Sequence, residues 1–262
     1  MLHLGSLLAD EGQVVAARLV LEPAYQIAVA TGDPLARGHV LAALTLAHWK
    51  AGSLDAATQS GNEALLIFRE LSNRPSEGNV AYRLAAVARG LGRPRVARRY
   101  AELAVASGDQ SGTRTTIALG HVNLARLDMD RGNESAAARN LLHAFEVINP
   151  ESDRWVLVEA LEAAARLLVA TDRASSMSIL GAADRIRTAI RQPVAPTEAD
   201  DLSSTIRLGR SQVAGPTAGS KGPQIDPLDA MSAYHVAERA TRELLTTEGQ
   251  RRSLRDVAAD GS

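Results

Sequence analysis

The nearest approach to a phosphate-binding loop in this chain is the stretch GPTAGSKG, Gly215 to Gly222. Such a loop needs Gly-Lys-Ser/Thr after four residues and opens a helix whose amides face the anion. Here Ser220 stands where the second glycine belongs, and Gly222 and Pro223 follow Lys221, so the stretch reads as linker. The six histidines are His3, His39, His48, His121, His143 and His235. None stands at metal-ligand spacing from another histidine or from a carboxylate in a known pattern. No Gly-x-Ser-x-Gly nucleophile elbow is present. Gly90-Leu91-Gly92 follows no strand and so is no dinucleotide loop. Glu159 and Glu162 fall one helical turn apart, the spacing of a shared-proton pair, but on a charged helix they are expected to be solvated. Asn133-Glu134-Ser135 fits a glycosylation sequon without any sign of secretion. No catalytic, metal or cofactor residue is assigned, and the chain is expected to be non-enzymatic.

Composition narrows the class further. The chain has 262 residues and a net charge of −1, so no overall field draws nucleic acid or an anionic membrane. There are no cysteines, which removes disulfides, thiolate chemistry and cysteine-based zinc sites, and accords with the cytoplasm. Lys50 and Lys221 are the only lysines, so arginine carries nearly all the basic charge. Aromatics make up 3%, too few for a base-stacking platform. No 18-residue apolar run exists, and MLHLGSLLADEGQ has no basic leader, so neither a membrane span nor a signal peptide is expected.

The elements that must position any site follow a beat. Gly12, Gly52, Gly92 and Gly132 stand 40 residues apart, and the next step lands on Asp172. Five residues after the glycines come Ala17, Ala57, Ala97 and Ala137. Twelve after come Ala24, Ala64, Ala104 and Ala144. Gly32, Ser72, Gly112 and Ser152 mark a second turn on the same period. Each 40-residue unit therefore holds two turns and two segments, as in a stacked repeat. The segments are helical: Val40, Leu41, Leu44 and Ala47 follow helical spacing, and Asp33-Pro34 is a capping carboxylate with proline at the first helical position. The recurrent alanines let paired helices approach closely. No alternating β-branched run suggests a sheet.

Leucine-alanine at Leu84-Ala85 and Leu124-Ala125, a turn glycine, and alanine five and twelve residues later resemble the tetratricopeptide repeat, with helices a few residues longer than usual. The resemblance covers residues 1–192, about five units. The stretch SILGAADRIRTAIRQPVAP, with Leu180, Gly181, Ala182, Ala183, Pro193 and Pro196, is similar to the closing helix of repeat arrays in actinobacterial LuxR-type or cyclase-linked ATP-binding regulators. The loop AGPTAGSKGPQIDP departs from that pattern. The resemblance implies an all-α fold: a tetratricopeptide-like α-solenoid of antiparallel helix pairs with a short helical C-terminal extension. It implies a protein–protein interaction or sensor module of a bacterial transcriptional or signalling regulator.

In such arrays the first helix of each pair lines a concave groove. The residues placed there include Trp49, Lys50, Asn79, Tyr82, Arg89, Arg126 and Arg166. Arginine forks clamp carboxylates and aromatics anchor, so the implied partner is a peptide or an acidic protein segment.

Beyond the array, residues 193–244 are expected to form the extension: a helix over 197–213 capped by Thr197, a flexible linker at 214–227, and an amphipathic helix ending near 244. Residues 245–262 are expected to be a mobile tail. Its sequence resembles the start of a LuxR-type helix-turn-helix but stops before a recognition helix, so no direct nucleic-acid contact is expected. At the other end, Leu2, Leu4, Leu7 and Leu8 sit in a first unit shortened against the beat. This suggests a piece of a longer regulator, or self-association through the N-terminal end. The rival readings are a small-ligand or enzyme pocket using Tyr234, His235 and Arg239 at the array's junction with the last helix, and a remnant without independent function.

Overall fold

The computed structural model describes residues 1–211 and 229–260, with side chains to Thr247. Among the described residues every regular element is a helix. The order is α1 (Leu2–Asp10), α2 (Val14–Ala30), α3 (Pro34–Lys50), α4 (Leu54–Glu70), α5 (Arg74–Gly90) and α6 (Pro94–Ser111). It continues with α7 (Arg114–Met129), α8 (Glu134–Val147), α9 (Arg154–Leu168), α10 (Arg173–Ala189), α11 (Pro196–Arg210) and α12 (Ala230–Asp260). No helix is long and apolar enough to cross a membrane among the described residues.

The turns fall where the glycine beat puts them. Gly12, Gly32, Gly52, Gly92, Gly112 and Gly132 all have positive φ, and Ser72 takes the same conformation at φ 53°. Helix starts are secured by side chains: Asp33, Asn73, Asn133 and Asp172 each accept from a backbone N–H three residues on. The beat slips at two positions, Ser152 and Asp172, the latter being the N-cap of α10 at φ −134°. Ser152 is not a left-handed turn, because α8 ends early at Val147 in an extended Ile148, and Pro150 keeps the following loop from continuing the helix.

Consecutive helices from α1 to α10 pack on one another, and α3, α5, α7 and α9 also touch in succession, forming a common face. The alanines on the beat are the hinge of this packing: Ala17, Ala57, Ala97, Ala137, Ala64, Ala104 and Ala144 are fully buried. Phe68, Leu84, Leu127, Leu141, Phe145, Leu157 and Leu161 fill the space around them. Gly120 of α7 shows how tight the contacts are, since a Cβ there would lie 2.7 Å from Val105 Cγ2 and 3.0 Å from the Ala101 carbonyl.

Two elements depart from sequence expectation. α11 begins at Pro196 with Ala195 before it, so Thr197 lies inside the helix instead of capping it. Proline at the first helical position already fixes φ and lacks the amide a cap would satisfy. α12 runs past 244 to Asp260 and packs on α8, α9 and α10, where the Tyr234 hydroxyl donates to the Phe145 carbonyl at 2.9 Å. The expected 214–227 linker, with the GPTAGSKG stretch, lies outside the described residues.

Ser72 holds a left-handed backbone that costs a side-chain-bearing residue about 1 kcal/mol. Ser72→Gly is therefore expected to raise the melting temperature by a few degrees, and Gly120→Ala to lower it, both read by calorimetry.

Candidate functional site

The face formed by α3, α5, α7 and α9 carries the residues placed in the groove by sequence, and their partners come largely from within the chain. The segment from Ile190 to Asp201, a proline loop followed by the first turns of α11, lies across it. Trp49 Nε1 donates to Thr197 Oγ1 at 2.9 Å, and Lys50 Nζ donates to the Pro193 carbonyl at 3.1 Å. Glycine makes the crossing possible. A Cβ at Gly90 would fall 2.5 Å from Thr197 Cγ2, and one at Gly12 would fall 2.8 Å from Pro193 Cγ.

Further along, two ion-pair networks fix α11. In the first, Arg89 forks onto Asp130 at 2.6 and 2.9 Å and reaches Asp201 at 2.6 Å. Arg166 joins the same two carboxylates at 2.7 and 3.3 Å. Burial opposes ionisation of Asp130, but the bonds from Arg89 and Arg166 prevail and hold its pKa below the usual carboxylate range.

The second network is buried. Arg126 of α7 donates to Glu159 of α9 at 2.8 Å and to Glu198 of α11 at 2.7 Å. Arg187 of α10 forks onto Glu162 at 2.9 and 2.7 Å and touches Glu159 at 3.4 Å. All five residues are more than nine-tenths buried. The expectation that Glu159 and Glu162 would be solvated is corrected here. α10 and α11 cover them, and each receives a guanidinium that replaces water. Burial raises Glu159, but Arg126 and Arg187 overcome it and bring it down to about 2. Burial pushes Glu198 up to about 7, with Glu159 adding to the rise and Arg126 opposing it. Glu162 is also raised, by burial and by Glu159.

Carboxylate oxygens of Glu159, Glu162 and Glu198 lie within 4.8 Å of one another, a spacing a metal ion could use. Arg126 and Arg187 already supply positive charge to these oxygens, so a divalent ion would have to displace guanidinium groups.

Beneath the crossing segment lies a cavity of about 520 Å³. It brings together Trp49, Lys50, Asn79, Tyr82 and Arg126 of the residues placed in the groove by sequence. Arg89 and Arg166 do not line it and sit on the Asp130–Asp201 pair instead. The cavity adds residues that sequence reasoning did not select: Trp155, Asn123, Gln192, Glu198 and Asp10. Trp155 stacks obliquely on Tyr82, ring centroids 6.2 Å apart. Trp155 was legible as one of only two tryptophans, whereas nothing in the repeat spacing announced Gln192, at the array's last position, or Glu198, which lies beyond it.

Two other groupings differ from expectation. His121 and His143 have ring centroids 5.2 Å apart despite their 22-residue separation, because α7 and α8 pack together. Tyr234 of the rival pocket commits its hydroxyl to Phe145, while His235 and Arg239 are exposed. No family model, no curated protein and no solved structure matches this chain.

The pKa shifts set opposing pH dependences. Glu159, lowered in the fold, contributes stability present above its ordinary value of 4.5 and lost as pH falls through about 2. Glu198, raised in the fold, contributes stability present below 4.5 and lost as pH rises through about 7. The melting temperature is expected to fall between pH 5 and pH 8, and Glu198→Gln to flatten that fall, measured by thermal melts across the range.

Proposed function

We propose that this chain is a non-enzymatic docking module, a tetratricopeptide-like α-solenoid of antiparallel helix pairs serving as the sensor region of a cytoplasmic bacterial regulator. Its α3–α5–α7–α9 face receives a proline-containing acidic segment of a partner protein. One observation supports the reading above the rest: this face already holds such a segment from its own chain. Trp49, Lys50, Arg89, Arg126 and Arg166 all engage the stretch from Pro193 to Asp201 through hydrogen bonds or ion pairs. The chemistry is general. Fixed arginine forks read carboxylates, an indole N–H reads a hydroxyl, and an ammonium reads a carbonyl that proline leaves free of helical pairing.

On this reading the internal segment is a resident occupant, and a partner with the same chemistry replaces it. Regulation then needs no catalysis, since exchange of occupant moves α11, and α11 is tied to α9 and α10. The N-terminal end supplies a second contact. Leu4, Leu7, Val15, Leu19, Ile27 and Val29 of α1 and α2 are all exposed, an apolar surface suited to a neighbouring repeat or a second copy of the chain.

Two tests follow. Thr197→Ala with Asp201→Ala removes the resident segment's bonds to Trp49, Arg89 and Arg166 and is expected to loosen it while leaving the face intact. A fluorescent peptide of residues 192–203 is then expected to bind this variant and not the unmodified chain, by anisotropy, with Arg89→Ala weakening it about tenfold or more. Absence of binding to the Thr197→Ala/Asp201→Ala protein would refute the docking reading. Separately, Val15→Glu with Leu19→Glu is expected to leave the melting temperature unchanged and abolish any concentration-dependent association seen by light scattering.

A further inference from the structure

The cavity under the crossing segment has features that a peptide-docking face does not require. We propose that it binds a small organic monoamine, with the ammonium group at Glu198 and Asn123 and an apolar or aromatic body against Trp49, Tyr82 and Trp155.

Size comes first. About 520 Å³ is ample for a molecule of ten to fifteen heavy atoms, within the roughly 300–1,000 Å³ range of small-ligand pockets. The inner wall is apolar and aromatic: Leu46, Trp49, Tyr82 and Leu119 are buried, and Trp155 is half-buried above them.

Hydrogen-bond polarity comes second. Among the described residues, three buried side-chain acceptors receive no hydrogen bond: Asn123 Oδ1, Gln192 Oε1 and Glu198 Oε2. All three belong to residues that line this cavity, and they come from three separate elements: α7, the proline loop and α11. The orientation of the Asn123 amide is set by its surroundings. Its Nδ2 donates to the Leu119 carbonyl at 2.9 Å and to the Tyr82 carbonyl at 3.4 Å, so the oxygen is the atom left over. Unpaired buried acceptors are costly, and three in one wall ask for a donor-bearing ligand.

Charge comes third. Of the two buried carboxylates that line the cavity, Glu159 has both oxygens taken by arginines, whereas Glu198 accepts from Arg126 at Oε1 and has Oε2 left over. Lys50 is the nearest further cation, and its ammonium is bonded to the Pro193 carbonyl at the rim. An ammonium supplies positive charge and up to three donors together. A neutral polyol would supply the donors without the charge. A metal ion would need carboxylate oxygens that the arginines occupy. Lys50, Arg83, Arg154 and Arg191 also line the cavity against Asp10 and Glu11, which disfavours a second cationic group and selects a monoamine over a diamine.

Trp49 and Trp155 are the only tryptophans in the chain, and both line the cavity, so intrinsic fluorescence reports on this site alone. Titration of the full chain with phenethylamine is expected to give a saturable change. Phenethyl alcohol, the same body without charge, is expected to bind more weakly, and 3-phenylpropionate not at all. Glu198→Gln is expected to weaken phenethylamine about tenfold while leaving phenethyl alcohol unaffected. Should that variant fail to fold, Trp155→Phe, at a half-buried position, is expected to weaken amine and alcohol alike, read through Trp49. The proposal is overturned by no saturable response to phenethylamine at about 10 mM, a concentration that would reveal even millimolar affinity. It is also overturned by equal binding of the phenylpropionate, or by undiminished amine binding in folded Glu198→Gln. This inference does not rest on the docking reading. The amine needs the crossing segment in place and the peptide needs it displaced, so phenethylamine is expected to compete with the labelled peptide on the Thr197→Ala/Asp201→Ala protein. Failure of either binding measurement alone leaves the other standing.

Discussion

Arg126 holds the centre of this molecule. It is buried in α7 with one carboxylate on each side, Glu159 from α9 and Glu198 from α11. Removing one partner from a buried pair leaves an uncompensated charge and costs about 3–5 kcal/mol. The pairing therefore commits α11 to lie over α7 and α9, and that commitment creates the rest: the crossing segment, the cavity beneath it and the second network at Arg89, Asp130, Arg166 and Asp201. The network is also unevenly charged. Burial, reinforced by Glu159 and Glu162, pushes Glu198 towards neutrality, while Arg126 and Arg187 hold Glu159 ionised.

The frame under this network is built on small residues. Alanine at each beat brings consecutive helices together with almost no side-chain entropy to lose, and leaves the larger leucines and phenylalanines to fill the gaps. Within the array each helix packs on its sequence neighbours, the odd-numbered ones also on the next odd-numbered helix, and the main contacts reach no further along the chain. The long-range ties come instead from the C-terminal part: Trp49 to Thr197, Lys50 to Pro193, Arg126 to Glu198 and Arg89 to Asp201. α11 and α12 act as clasps on a structure that would otherwise be held unit by unit.

The docking face and the cavity are two sides of the same segment. The stretch from Ile190 to Asp201 satisfies the arginines on its way across and roofs the aromatic space below. A ligand in the cavity would bear on the underside of that roof, and a partner on the face would take its place. On the proposed reading the two sites would be coupled through this one element, the physical requirement for one site to influence another.

The sequence by itself determined the helices, the turns and the close-packed alanine seams. These depend on local backbone preference and on a period that repeats every 40 residues: Gly52 ends a helix through its own φ, and Ala57 permits close approach through its own size. The resemblance to a repeat array also placed Trp49, Lys50, Tyr82 and Arg126 on one face. The sequence could not tell which groups would meet them. Glu159 and Glu162 read as solvated because their neighbours at helical spacing give no sign of Arg187 or of the roof formed by α11. Thr197 read as a cap because its acceptance of the Trp49 indole spans 148 residues. Only the tertiary structure decided that the groove is crossed by its own chain. That outcome depends on where a non-repeating segment returns, and burial, charge pairing and the Gly12 and Gly90 clearances fix its path without leaving a periodic trace.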